Sequence, residues 1–428
     1  MKKLMGILLA ASMVFSLAAC GSTADIAAST ANNSAATAEG SSDNQAPDVK
    51  VGAIILGDET EGYSAAHING IKEAAAELGM SEDQIVWKYK IAEGGVTADA
   101  AEDLVGQGCN LIISNSYGHQ TYMEEEAEKY PDVNFVAMTG DFAAISDLDN
   151  FYNAFTAVYQ SRYVSGVVAG MKLQELVESG TLTPETQPDS FTADGKVKIG
   201  YVGAYNYAEV VSGYTAFFLG VQSVYPDVQM EVMYTNSWFD IDKEGAAAEA
   251  LIANGAVIIG QHADSTGAPS ACEAALNAGT VVYSVGYNID MLTAAPNASL
   301  VSPTNEWGVY YTYAIGAHIN GEKFDTNWAE GFTEDAVALT KLGPNVAAGT
   351  AEKVEEVIAA LKDGSLHVFD TKTFTVGGAE VTSAFATDSD GDWTNDCDEA
   401  IIDGYYHESY FQSAPSFSLR IDGITELN

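Results

Sequence analysis

Short apolar runs alternate with amphipathic blocks along most of this chain, and the alternation keeps one rhythm. Between residues 234 and 290, blocks 243–254 and 269–278 read as helices, and the runs 256–259 and 281–285 as strands. Fully apolar runs of that length, separated by helical periodicity, predict strand–helix–strand units in a parallel sheet. The same rhythm begins at residue 49. Strands are predicted over 51–56, 85–89, 111–114 and 135–137, and helices over 64–78, 97–107 and 123–130, with Gly79 as a helix stop. A helical stretch over 153–171 follows, where Gly166 and Gly170 allow close packing, and then a polar connector over 179–195. The rhythm restarts with strands at 196–201 and 228–234 flanking a helix at 210–224 that Pro226 ends. Beyond lie a returning strand at 300–303 and helices over 307–320 and 351–361. The aromatic-rich tail, 365–428, yields no assignment.

Parallel sheets of this kind bind ligands beyond the C-terminal ends of their strands, and those ends carry unusual residues. In the first region they are Tyr63, His67, Asn115 and Tyr117, with Asp58, Thr139 and Asp141. In the second they are Glu209, Trp238, Asp240, Asp264, Tyr287, Asn288 and Asp290, with Gln261, His262 and Ser265. Such clusters suit a small-molecule pocket. Tyr63 and Trp238 follow equivalent strands, so they could sandwich a flat ring, and stacking contributes about 1–3 kcal/mol per base. Asp264 and Asp290 can accept from sugar hydroxyls or a base amine, while Asn115 and Asn288 both donate and accept. The alternative for each aspartate is a turn or helix cap. His67 and His262 are ligand contacts or satisfied structural histidines. Gln160 and Arg162 suit a hinge-region hydrogen bond or ion pair, and Trp307 a pocket cap or hinge packing.

Composition narrows the picture at the ends. Lys2 and Lys3 precede an apolar run that closes Leu17-Ala18-Ala19-Cys20, too short to span a bilayer. This resembles a bacterial lipoprotein signal, which implies a leader over 1–20 and a lipidated Cys20 that anchors the protein at the outer face of the cell membrane. Residues 21–48 are rich in Ala, Ser, Thr and Asn and predict a disordered tether. The remainder is too long for one core and suggests two lobes. A formal charge of −42 disfavours nucleic acid polymers and anionic membrane surfaces. Cys109, Cys272 and Cys397 form no zinc or disulfide pattern, and the first two suit small core positions. No HExxH, GxSxG or GxxxxGK[ST] is present, so nothing points to an enzyme, a bound metal or a cofactor. Asp388, Asp390, Asp392, Asp396 and Glu399 keep part of a calcium-loop spacing. Trp393 stands where that loop needs glycine, and an acidic turn is the expectation.

Seven pieces in order resemble the basic membrane protein family of lipoproteins, similar to purine-nucleoside receptors and Med-like substrate-binding proteins. They are Glu61-Gly62-Tyr63-Ser64 with His67; Tyr159 to Tyr163 with Gly166 and Gly170; Ile199 to Val202 with Glu209; Asn236 to Asp240; Gln261 to Ser265; Gly286-Tyr287-Asn288 with Asp290; and Trp307-Gly308 with Tyr310-Tyr311. The resemblance implies an α/β type I periplasmic-binding-protein fold, with two Rossmann-like lobes, a ligand cleft and a three-strand hinge. One lobe would take residues 49–160 with 290–325, the other 161–289 with 326–428. It also implies delivery of a nucleoside-like ligand to an ABC permease and its ATPase. The first loop departs from the nucleoside receptors' pattern, so sensing, or binding of a non-purine solute, stays open as an alternative.

Overall fold

The computed structural model describes residues 49–428. The expected leader over 1–20, the expected lipidation at Cys20 and the expected tether over 21–48 lie outside the described residues. The first half builds β1 (Val51–Ile54), α1 (Gly62–Glu77), β2 (Ile85–Lys88), α2 (Val96–Gly106), β3 (Leu111–Ser114), α3 (Gln120–Lys129), β4 (Asn134–Met138) and β5 (Phe151–Thr156). After α4 (Val158–Glu178) come β6 (Val197–Gly203), α5 (Ala208–Val224), β7 (Val228–Tyr234), α6 (Ile241–Ala253), β8 (Ile258–Gln261), α7 (Gly267–Asn277), β9 (Tyr283–Val285) and β10 (Ser299–Val301). The rest adds β11 (Pro303–Asn305), α8 (Trp307–Asn320), β12 (Asn327–Glu330), β13 (Val337–Leu339) and α9 (Thr350–Lys362). The tail carries β14 (Phe385–Thr387), β15 (Cys397–Glu399), β16 (Ile401–Ile402), β17 (Tyr405–Tyr406) and β18 (Ile424–Glu426).

Two parallel sheets result, in the orders β12-β5-β4-β3-β1-β2 and β10-β9-β8-β6-β7-β18. Their core orders match, with the first strand of each region lying between its second and third. Helices cover both faces, which is why β1, β3 and β8 are buried at every position and read as continuous apolar runs. The chain passes between the lobes at Thr156–Val158, between β10 and α8, and between β12 and β13. These passages hold each other. β11 pairs antiparallel with β13, Thr156 Oγ1 donates to Asn305 Oδ1 (2.5 Å), and Phe332 N donates to Gln160 Oε1 (3.1 Å).

The structure corrects several boundaries. The helix expected from residue 153 begins at Val158, because Phe151–Thr156 is strand β5, buried at every position between β4 and β12. The returning strand expected at 300–303 is two strands, split at Ser302 where the chain leaves one sheet and reaches the other lobe. The unassigned tail forms two small hairpins, and β18 then pairs parallel with β7. Cys109 and Cys272 are buried and unpaired, as small core residues.

Helices α4 and α5 pack at backbone distance. A Cβ on Gly166 would lie 2.1 Å from Phe217 O, and one on Gly220 would lie 2.1 Å from Tyr163 O. Gly170 faces Val221 O in the same way, at 2.8 Å. No rotamer relieves a clash with a main-chain oxygen, so any side chain there must push the helices apart. Gly220→Ala is therefore expected to cost about 1–3 kcal/mol, read as a lower urea midpoint at an unchanged slope.

Candidate ligand-binding site

The C-terminal strand ends of both sheets face one cavity of about 220 Å³. From the first lobe come Tyr63 and Glu61 at the start of α1, Tyr117 after β3, and Thr139 after β4. From the second come Glu209 in the first turn of α5, Trp238 after β7, His262 and Asp264 after β8, and Tyr287 after β9. Thr139 has φ 65°, a left-handed conformation that a β-branched residue rarely adopts. Strain of that kind concentrates where function requires it.

Hydrogen bonds fix the walls. Glu61 caps α1, its Oε1 accepting from Tyr63 N (2.6 Å) and its Oε2 from Ser64 N (2.8 Å). The Tyr63 hydroxyl donates to Asn115 O (2.5 Å), which sets the ring against the cleft. Asp264 Oδ1 accepts from Asn288 Nδ2 (2.7 Å). Burial, and then the neighbouring Glu61 and Glu244, hold the Asp264 carboxyl well above its ordinary pKa. His262 Nε2 donates to Glu209 Oε1 (2.9 Å). Burial, and then the charge of Arg162, lower the His262 pKa to about 4, so the pair is a neutral imidazole on a carboxylate rather than an ion pair at neutral pH.

Arg162, on α4, lies under the cavity floor. One guanidinium nitrogen, Nη1, donates to Tyr201 Oη (2.6 Å) and to Gln261 O (3.0 Å). Its Cζ sits 3.9 Å from the centre of the Tyr287 ring. The guanidinium is buried, and among the described residues no carboxylate pairs with it. Of the two expected roles at the hinge, Gln160 takes the hydrogen bond, while Arg162 supports the pocket floor.

A family model described as ABC transporter substrate-binding protein, PnrA-like (Bmp), matches residues 55–365. The chain belongs to the Bmp family. Two relatives are a purine-binding protein of Brucella abortus and a protein of Haloferax volcanii. The first is 32% identical over 75% of this chain and 83% of its own. The second, whose name provisionally makes it the glucose-binding protein of an ABC transporter, is 29% identical over 72% of this chain and 69% of its own. An Aeropyrum pernix ABC transporter solute-binding protein superposes with a TM-score of 0.62 at 16% identity, covering 75% of this chain and 93% of that one. A Bacillus halodurans transcriptional activator of the comK gene does so at 0.57 and 18%, covering 74% and 99%. These likenesses show the fold, the two-lobed type I periplasmic-binding-protein arrangement.

Within this Bmp-family frame, six of the twelve expected site residues line the cavity: Tyr63, Tyr117, Glu209, Trp238, Asp264 and Tyr287. Asn115 and Asn288 stand one step behind it. Asn115 Oδ1 accepts from Leu56 N (2.8 Å), holding the loop after β1, and Asn288 bridges Asp264 to Asn305. His67 and Trp307 turn the other way, stacked 4.4 Å apart in the first lobe's core, where His67 Nδ1 meets Tyr311 Oη. Asp240 caps α6 through Lys243 N, and Asp290 turns its loop through Leu292 N. Asp290 thus took the turn alternative, and Asp240, expected at the ligand, serves as a helix cap instead. The sequence left His262 open, placed Thr139 only among the strand-end residues, and brought in Glu61 and Phe239 only through the family resemblance, yet all four line the cavity.

Removing the guanidinium strands two buried acceptors. Arg162→Met is expected to destabilise the protein by about 2–4 kcal/mol, measured by urea unfolding.

Proposed function

We propose that this protein captures a purine nucleoside or a related nucleobase-bearing molecule and hands it unchanged to an ABC permease and its ATPase. Cys20 would carry the lipid that keeps it on the extracytoplasmic face of the membrane. The observation that carries the reading is one cavity with aromatic walls from both lobes, Tyr63 and Trp238, and carboxylates between them, Glu61, Glu209 and Asp264. Flat rings stack on such walls, and carboxylates accept from ribose hydroxyls and base amines. Lining residues include no lysine or arginine, so the cavity favours a neutral, donor-rich ligand over a phosphorylated one. The Brucella abortus relative's name supports the purine. Hinge closure about the three passages would enclose the ligand, a shift between open and closed populations.

A second reading, a sugar such as glucose, is favoured by the Haloferax volcanii relative. Sugar faces also stack on tryptophan, and the same carboxylates would accept their hydroxyls.

Titration calorimetry on protein unfolded and refolded to strip carried ligand separates these, using adenosine, guanosine, free bases and glucose. Saturable nucleoside binding is expected, weakened by about 1–3 kcal/mol in Trp238→Ala. Glucose binding with purines silent would replace the purine reading with the sugar one. Unchanged ligand recovered after prolonged incubation is expected, and turnover would refute simple capture.

Asp264 adds a pH signature. Its raised pKa means the folded, ligand-free protein keeps a proton that the unfolded chain has lost. That contribution to stability is full below about 3.8 and is lost as pH rises through the folded value. A ligand donating to the carboxylate expels this proton. Adenosine affinity is therefore expected to rise with pH through the same window, and Asp264→Asn to flatten the profile.

A further inference from the structure

The family match ends at residue 365, yet the chain beyond it reaches both lobes. Glu408 is buried against the second lobe, accepting from Ser212 Oγ on α5 (2.7 Å) and from Phe417 N (2.9 Å). Five residues on from Glu408, Ser413 Oγ donates to Gly140 O of the first lobe (2.7 Å). Ala414 beside it is buried in the first lobe's core, and Phe417 in the second lobe's. One short stretch is therefore anchored on both sides of the cleft, in addition to the three passages of the hinge.

The loop that precedes this stretch reaches the cavity wall at Tyr117. Tyr117 of the cavity wall and Tyr207, from opposite lobes, meet with ring centres 5.8 Å apart. Trp393 stands 6.2 Å from the first and 6.1 Å from the second, nearly parallel to Tyr207. Tyr207 in turn stands 6.1 Å from Trp238, inside the cavity. Trp393 is 67% exposed, far more than a core tryptophan, and it holds φ 68°, a conformation unfavourable to a bulky residue. Asp388 holds it there. Its Oδ2 accepts from Trp393 N (2.7 Å) while its Oδ1 accepts from Gly391 N (2.8 Å). A large apolar side chain kept in an unfavourable conformation at the junction of two moving bodies calls for a role there.

We propose that residues 388–417 are a clasp joining the lobes across the mouth of the cavity, and that Trp393 determines access to it. The clasp limits how far the hinge opens and slows passage of ligand in both directions. The part concerning ligand rests on the cavity being the ligand site; the part joining the lobes does not.

Two measurements on the full chain test it with Trp393→Ala, Trp393→Phe and Ser413→Ala, each first confirmed to unfold cooperatively. In ligand-free protein, hydrogen–deuterium exchange is expected to quicken at least threefold around both 115–119 and 205–209 in Trp393→Ala and in Ser413→Ala. Trp393→Phe is expected to restore most of the protection. Adenosine release, followed by stopped flow, is expected to speed at least threefold in Trp393→Ala, with association faster as well. Exchange unchanged on both lobes in both alanine variants would overturn the clasp. Quickened exchange with adenosine kinetics unchanged would overturn the access role of Trp393. Should wild-type protein not bind adenosine at all, the purine reading fails, and exchange alone decides the clasp.

Discussion

A buried guanidinium underlies the second lobe's half of the cleft. Arg162 begins on the helix that leaves the hinge and ends beneath the strands that carry the ligand loops. Desolvating a charge is costly, and here two hydrogen bonds from Nη1 and the face of Tyr287 offset part of that cost, while Nε and Nη2 are buried without a partner among the described residues. Its field also reaches His262, helping to keep that ring neutral, so that it donates to Glu209 without cancelling the negative charge. Stability and electrostatics of the cavity floor thus share one side chain.

Arg162 reaches that place only because its helix lies so close to α5. Glycines at 166, 170 and 220 let two backbones touch, and Gly213 leaves room for the guanidinium, since a Cβ there would lie 3.0 Å from both Arg162 Nε and His262 Nδ1. Helix contact, buried cation and oriented imidazole form one series, each step resting on missing side chains.

Buried parallel strands announce themselves as continuous apolar runs, so most of both sheets was legible in the sequence. β5 was not, because Phe151–Thr156 runs into α4 with no glycine, proline or polar turn between them. β12 and β18 were not, because edge strands of three or four residues carry little pattern and are defined by a partner far away in the chain. In the site, position after a strand identified the loops but not the direction of each side chain. Tyr63 and His67 lie one helical turn apart, yet one faces the cleft and the other the core. Asp264 and Asp290 are both loop aspartates, and only packing by Asn288 and its neighbours distinguishes them. Trp393 stood out locally only as a bulky residue at a glycine position, and its contacts come from Tyr117 and Tyr207, more than a hundred and eighty residues earlier.

Each sheet is finished by a strand from much later in the chain: β12 closes the first beside β5, and β18, at residues 424–426, closes the second beside β7. A chain emerging from its N-terminus therefore holds two unfinished sheet edges for most of its synthesis. The second edge stays open until residues 424–426 are free. Long-range closure of this kind delays the native state, and open strand edges are where chains pair wrongly. Emergence of residues 424–426 thus sets the earliest moment at which both sheets can be complete.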